Sequence, residues 1–237
     1  MNQQRYRIVF NRFRSALMVV GEVARSSGKQ GGRGAGVGGP APVWAGVRPL
    51  VFSVWAALGF VAFGPVGAQV VADSSAAGTE RPTVLNAPNG VPLVNIQTPS
   101  AAGVSRNVYS QFDVQQQGAI LNNSRTAVAT QQGGWVQGNP WLAKGSARVI
   151  LNEVNSANPS QLRGYVEVAG QRAQVIIANP AGISCDGCGF INANRATLTT
   201  GQPIMNGGAL EGYRVQRGRV EVSGAGLDAS GADYADL

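Results

Sequence analysis

Beyond residue 68 the chain alternates short apolar runs with breaks at Gly, Asn and Pro, and no stretch shows a convincing 3.6-residue apolar period. The runs at 147–151, 164–168, 172–178, 196–199 and 219–222 are rich in Val, Ile, Leu and Thr. They read as strands, because β-branched residues suit a pleated surface and the turn residues between them interrupt any helix. Asn179-Pro180 and Asn206-Gly207-Gly208 are turn signals of this kind. The pattern predicts an all-β domain and leaves a sandwich, a barrel and a parallel β-helix open. Abundant Asn beside Gly leans towards a solenoid, in which amides meet from coil to coil. A solenoid has two open ends that need caps. The Pro- and Gly-rich stretch from 70 to about 108 is the candidate N-terminal cap, and 220–227 has the pattern of a further coil.

The first 68 residues follow another rule. Leu50 to Phe63 is an uncharged, apolar run behind Arg48, within the roughly 7–15 residues of a signal-peptide core. Gly64, Pro65 and Gly67 then break any helix, and Val66, Gly67 and Ala68 lead up to an expected cleavage between Ala68 and Gln69. A retained membrane anchor is the competing reading, disfavoured by those helix breakers. Upstream, Tyr6 to Asn11, Arg12, Arg14 and the apolar residues from Ala16 to Val20 make a basic, partly amphipathic segment. The expected organisation is a leader over 1–68, composed of a basic part (1–27), a Gly-rich linker (28–46) and a hydrophobic part (47–68). The leader is expected to be helical or disordered, and a β domain occupies 69–237.

Charge sharpens this division. The 237 residues carry a net charge of +7, but residues 1–68 hold eight of the 19 Lys and Arg and one of the 12 Asp and Glu, so residues 69–237 balance at eleven of each. The basic excess therefore belongs to the leader, and nucleic acid is not an expected partner of the β domain. Histidine is absent and cysteine occurs only at Cys185 and Cys188. An imidazole base, a four-ligand zinc site and a Ser-His or Cys-His pair are excluded, and no metal, cofactor or catalytic residue is expected.

Several motifs are more specific than the composition. The leader, from Met1 through its separate apolar run, resembles the extended signal peptide of very large autotransporters and two-partner secretion exoproteins of Gram-negative bacteria. Tyr109 to Val114 with Ile120 to Ser124, then Asn158-Pro159-Ser160-Gln161-Leu162, then Val175 through Asn179-Pro180-Ala181-Gly182-Ile183 and Cys185 to Gly201, resemble the N-terminal secretion domain of filamentous haemagglutinin and of contact-dependent growth inhibition exoproteins. The resemblance implies a right-handed single-stranded parallel β-helix with an N-terminal cap. It also implies export by the Sec translocon, recognition by the periplasmic domains of a dedicated outer-membrane transporter, folding outside the cell, and a location in the medium or on the cell surface. The host or a neighbouring cell surface is a further partner of such proteins.

The resemblance assigns secretion and folding roles to Asn158, Pro159 and Leu162, and to Asn179, Pro180, Gly182 and Ile183. In the family a second Asn often follows the Pro, where this chain has Ser160 and Ala181. From the residues alone, Asn-Pro reads as a turn initiator, with direct transporter contact as the competing role. Cys185 and Cys188 could form half of a zinc site, a redox centre or a local disulfide. The disulfide is favoured in an oxidising compartment, and a bond closing so short a loop leaves the chain nearly linear for passage through a pore. Two other functions compete with secretion. A β-helix polysaccharide-degrading enzyme would need carboxylates gathered in a groove, and here Asp113, Glu153, Glu167, Asp186, Glu211 and Glu221 are scattered. A carbohydrate- or receptor-binding adhesin domain would use Trp135, Trp141 or Tyr165, which are expected in the core or cap instead.

Overall fold

In a computed structural model, residues 6–11, 16–21 and 70–237 are described, and they belong to two separate units. The first unit holds β1 (Tyr6–Asn11) and β2 (Ala16–Gly21), paired antiparallel from Tyr6 opposite Gly21 to Asn11 opposite Ala16. This corrects the helical or disordered expectation for that part of the leader. Ile8, Val9, Val19 and Val20 lie in the paired runs, and β-branched residues favour strands over helices. The Gly-rich linker, the hydrophobic part and the expected cleavage between Ala68 and Gln69 lie outside the described residues.

The second unit begins with β3 (Val70–Ala72), β4 (Thr83–Asn86) and β5 (Pro92–Asn95). From there the chain winds over three faces. On the first face, β6 (Val104–Phe112) starts a parallel stack, and on the third β7 (Ala119–Asn123) continues from β5. An excursion then forms the hairpin β8 (Val128–Thr130) with β9 (Gly134–Val136), followed by a 3-10 turn at Pro140–Leu142. The next coil places β10 (Val149–Val154), β11 (Ser160–Leu162) and β12 (Tyr165–Gly170) on the first, second and third faces. After β13 (Ala173–Ala178), the long β14 (Ile183–Ile191) pairs with β11 through its first half and with β12 through its second, so it spans two faces by itself. Next come β15 (Ala193–Thr199), a second hairpin of β16 (Gln202–Asn206) and β17 (Ala209–Arg214), then β18 (Val220–Asp228) on β14 and β19 (Tyr234–Asp236) on β15.

Val104, Val149 and Gln174 are in register on the first face, and Ala119, Val166 and Phe190 on the third. The pairs along the stacks are parallel, whereas β3 on β6 and β4 on β5 are antiparallel. The cap, expected over 70 to about 108, thus turns strand direction at the first coil. Arg106 fastens it, giving Nη1 to Glu80 of the cap at 2.6 Å and Nη2 to Glu153 of the next coil at 2.8 Å.

Inward-facing apolar residues, including Ile150, Leu162, Val166, Val175, Ile177 and Phe190, fill one continuous core. Tyr109 is fully buried there, its ring edge-on to Phe112 at 4.9 Å and its hydroxyl donating to Asn152 Oδ1 at 3.0 Å. Burial pushes that phenol far above its ordinary pKa. Asparagines tie coil to coil chiefly through backbone carbonyls. Asn152 donates to Ile176 O at 3.1 Å, Asn123 to Gln171 O at 2.8 Å, and Asn192 to Val168 O at 2.8 Å. One amide pair stacks directly, Asn122 on Asn95 at 2.8 Å. Among the described residues, every buried side-chain N or O atom has a partner.

The two hairpins cover the outer sides of two faces. Over the third face, Val136 and Val128 of the first hairpin pack on Leu93, Ile120 and Ala169. Glu167, 4% exposed, fastens this hairpin by accepting from Gln131 N at 2.7 Å and Gln132 N at 2.9 Å. Replacing Glu167 by alanine strands both amides and is expected to cost about 1–3 kcal/mol. Urea unfolding should show that loss, and hydrogen exchange should show it concentrated at 128–136. Over the first face, Met205, Leu210 and Tyr213 of the second hairpin cover Leu151, Ile176 and Ala178.

Candidate functional site

The two Asn-Pro motifs stand at the corner where the chain passes from the first face to the second, one coil above the other. Ser160 lies opposite Ile183, Gln161 opposite Ser184 and Leu162 opposite Cys185. Despite the shared sequence pattern the two corners are built differently. Asn179 is fully buried, and its Oδ1 accepts from Ala181 N at 2.9 Å while its carbonyl accepts from Gly182 N at 3.0 Å. That closes a turn, and Gly182 completes it at φ +126°, a conformation glycine adopts without strain. Asn158 and Pro159 are exposed, and the Asn158 side chain makes no hydrogen bond among the described residues. The lower corner is held from above instead. Asn179 Nδ2 donates to Asn158 O and to Ser160 Oγ, both at 3.0 Å, and Ser160 N donates to Gly182 O at 3.0 Å.

Ser160 is 1% exposed, so its hydroxyl is a buried acceptor matched to a buried donor. A second amide is not needed at that position for the two corners to be joined. Leu162 and Ile183 point into the core, and Pro180 and Ala181 are half-buried at the rim. The outer side of the second face, unlike the other two, is covered by neither hairpin. Gln161, Ser184 and Glu221 run in register along it and line, with Pro159, Gly182 and Arg219, an open depression of about 250 Å³.

Cys185 and Cys188 are bonded to each other, with Cα atoms 5.3 Å apart and both side chains in the core. They occupy β14 where it turns from the second face to the third. Gly187 at φ +75° makes the corner, and the pairing with β18 shifts register between Asp186 and Cys188. Asp186 Oδ1 accepts from Ala225 N of the next coil at 3.0 Å. The bond therefore braces the corner on which the following coil is laid. Replacing both cysteines by alanine should lower stability by about 2 kcal/mol, the order given by closing so short a loop. A melting temperature equal to that of the parent would deny the bond any structural role.

The aromatic expectation needs correcting at Trp135. Trp135 is 72% exposed and Trp141 45%, so neither is a core residue. In the hairpin Val128 lies opposite Val136 and Ala129 opposite Trp135; the valine pair packs downward, which turns Trp135 to solvent. Trp141 donates through its indole nitrogen to Thr83 of the cap at 3.2 Å. Tyr165 is half-buried, covers Gly189 with its ring and donates its hydroxyl to Asp228 at 2.6 Å. Bonds from Ser230 and Tyr165 hold the Asp228 carboxyl at about 2, below its ordinary value. Among the described residues no three His, Cys, Asp or Glu side chains gather as a metal site.

A capped, largely parallel β-helix with paired Asn-Pro corners is the architecture of a secretion module. The chain belongs to the TPS secretion domain family, which it matches over residues 68–237, and its first 50 residues match the Extended Signal Peptide of Type V secretion system. It is 56% identical to the Toxin CdiA of Yersinia pestis over all of this chain, and 48% identical to the tRNA nuclease CdiA-2 of Burkholderia pseudomallei (strain 1026b), also over all of it. It spans 7% and 8% of those proteins. A crystal structure of a filamentous hemagglutinin secretion domain superposes with a TM-score of 0.64 at 40% identity, over 71% of this chain and 54% of that one. The chain is thus the secretion-targeting part of an exported protein of a Gram-negative bacterium, served by a partner outer-membrane transporter and secreted or held at the cell surface.

Proposed function

We propose that the transporter's periplasmic domains recognise the unfolded chain at the segment beginning at Asn158-Pro159, whose side chains the fold leaves unused, and that Asn179-Pro180 serves the fold. The observation carrying this reading is the asymmetry of the corners. An exposed Asn-Pro with an unengaged side chain sits directly below a buried one whose amide is fully used. The leader over 1–68 directs the chain to the Sec translocon and is removed between Ala68 and Gln69. The domain over 69–237 is then recognised unfolded and folds outside the cell, the Asn179 turn joining successive coils. The relatives' names, a toxin and a tRNA nuclease, support a toxin carried by the complete protein, and the resemblance to contact-dependent growth inhibition exoproteins makes a neighbouring cell its target.

The test is a pair of measurements on Asn158→Ala. Its melting temperature should stay within about 2 °C of the parent, as expected for an exposed side chain without partners. Secretion with the co-expressed transporter should fall severalfold. Normal secretion of that variant would overturn the assignment of Asn158. A second reading, glycan or receptor binding by the domain itself, is favoured by the exposure of Trp135. Binding of glycans by the parent and not by Trp135→Ala would establish it.

A further inference from the structure

Both cysteines of the Cys185–Cys188 bond are closed off from solvent, Cys185 at 0% exposure and Cys188 at 2%. The coil beneath covers one side, where Leu162 of β11 lies opposite Cys185. The coil above covers the other. There β18 sets Val222 opposite Cys185 and Leu227 opposite Cys188, Gly226 O lies 3.3 Å from Cys185 Sγ, and Ala225 closes over the Gly187 corner between the two cysteines. Leu227 is itself packed against the core. Thiol–disulfide exchange requires an attacking thiolate to reach a sulfur, so a pair covered in this way reacts only when the cover opens. The redox-centre reading of the pair fails on the same ground. A catalytic dithiol is accessible and stands beside a cation or a helix N-terminus, whereas this pair is buried in a strand whose local sequence is Ser184-Cys185-Asp186-Gly187-Cys188-Gly189.

We propose that the bond is made before the fold, on the unfolded chain in the periplasm, by a partner protein that carries a reactive disulfide, and that the fold then seals it. This rests on the reading that the domain folds outside the cell. The thiolate of one cysteine attacks the oxidant's disulfide, forming a mixed disulfide and releasing one oxidant thiolate. The thiolate of the other cysteine then attacks the first cysteine's sulfur, so that the Cys185–Cys188 bond forms and the oxidant's second thiolate leaves. The chain gives up two electrons and two protons, and the oxidant departs as a dithiol. A sequence separation of 3 holds the second thiol beside the first without help from any other coil, and Gly187, at φ +75° in the fold, lets so short a loop close. The order has a consequence for the exported domain. Once β18 is laid on β14, the redox state of the pair is fixed, so the domain keeps outside the cell the state it was given inside.

The test has an arm in solution and an arm in cells. In solution, dithiothreitol followed by a maleimide should label the cysteines of the folded 237-residue chain at least about a hundredfold more slowly than those of the chain in urea. A chain reduced in urea and then refolded should resist oxidation by a purified thioredoxin-like protein disulfide to the same degree. Leu227→Asp, which loosens the cover, should raise both rates in the folded chain by about tenfold and leave the rates in urea unchanged. Equal rates in the folded and unfolded parent overturn the seal. In cells that make the chain without its transporter, the periplasmic pool should already carry the bond when acid-quenched, denatured samples are labelled with the maleimide. In cells that have the transporter but lack periplasmic dithiol oxidase activity, the exported domain should carry free thiols about tenfold more often than from the parent cells, and should keep them in aerated medium. A reduced periplasmic pool, or full oxidation of the exported domain without the oxidase, overturns the proposal. If export itself fails with the transporter present, the secretion reading falls, while the periplasmic pool still decides this one: an oxidised pool supports it and a reduced pool overturns it.

Discussion

Asn179→Ala is expected to destabilise the domain by about 2–4 kcal/mol, because it removes three hydrogen bonds at once and leaves a buried Ser160 hydroxyl and two backbone groups without partners. The urea midpoint should fall while the slope of the transition stays close to that of the parent. Pairing this variant with Ser160→Ala isolates the bond between the corners. If that bond joins the coils, the two substitutions together should cost about 1 kcal/mol less than the sum of the single losses. Additive losses would show that Asn179 acts within its own turn alone. Asn158→Ala is the natural contrast, since the same residue type in the same motif is exposed and should scarcely alter stability.

The second large effect is expected at Leu210. Leu210→Asp places a carboxylate against Leu151, Ile176 and Ala178, the outward-facing residues of the first face, and should cost about 2–4 kcal/mol. The physical reason is that the first face buries both of its sides, one in the core and one beneath the β16–β17 hairpin. The tip of this hairpin also reaches the cap, where Ser100 Oγ donates to Gly208 O at 2.6 Å. A segment late in the chain thus closes over coils made earlier. Loss of the hairpin should be read as faster hydrogen exchange along β10 and β13, with new binding of an apolar dye to the uncovered strip. Glu211→Ala, on the exposed side of the same strand, should change stability by no more than about 0.5 kcal/mol.

Much of this architecture was legible in local pattern. The runs at 147–151, 164–168, 172–178, 196–199 and 219–222 overlap β10, β12, β13, β15 and β18, because short β-branched, apolar runs between Gly, Asn and Pro leave few alternatives to a strand. Asn206-Gly207-Gly208 was readable as a turn, but nothing local shows that its hairpin lies across the outside of the first face. Trp135 was misplaced for a related reason. In a three-residue strand, which neighbour faces inward depends on the surface the hairpin rests on, and that surface is made by Leu93, Ile120 and Ala169 from other coils. Tyr6 to Gly21 shows the opposite case, where β-branched residues signalled strands and the basic, partly amphipathic reading obscured them.

By itself the sequence determined the strand-and-turn alphabet, the separation of a basic leader from a neutral β domain, the exclusion of histidine chemistry and the presence of two Asn-Pro motifs. These are properties of composition and near neighbours, which short segments carry with them. Only the tertiary structure decided that Asn179 spends its amide on Asn158 and Ser160, that Ser160 can stand where the family often has a second Asn, and which face stays bare. Each depends on which residue of one coil comes to lie on which residue of the next. That register is set by the packing of a shared core and by the length of every excursion between strands, so no single segment contains it.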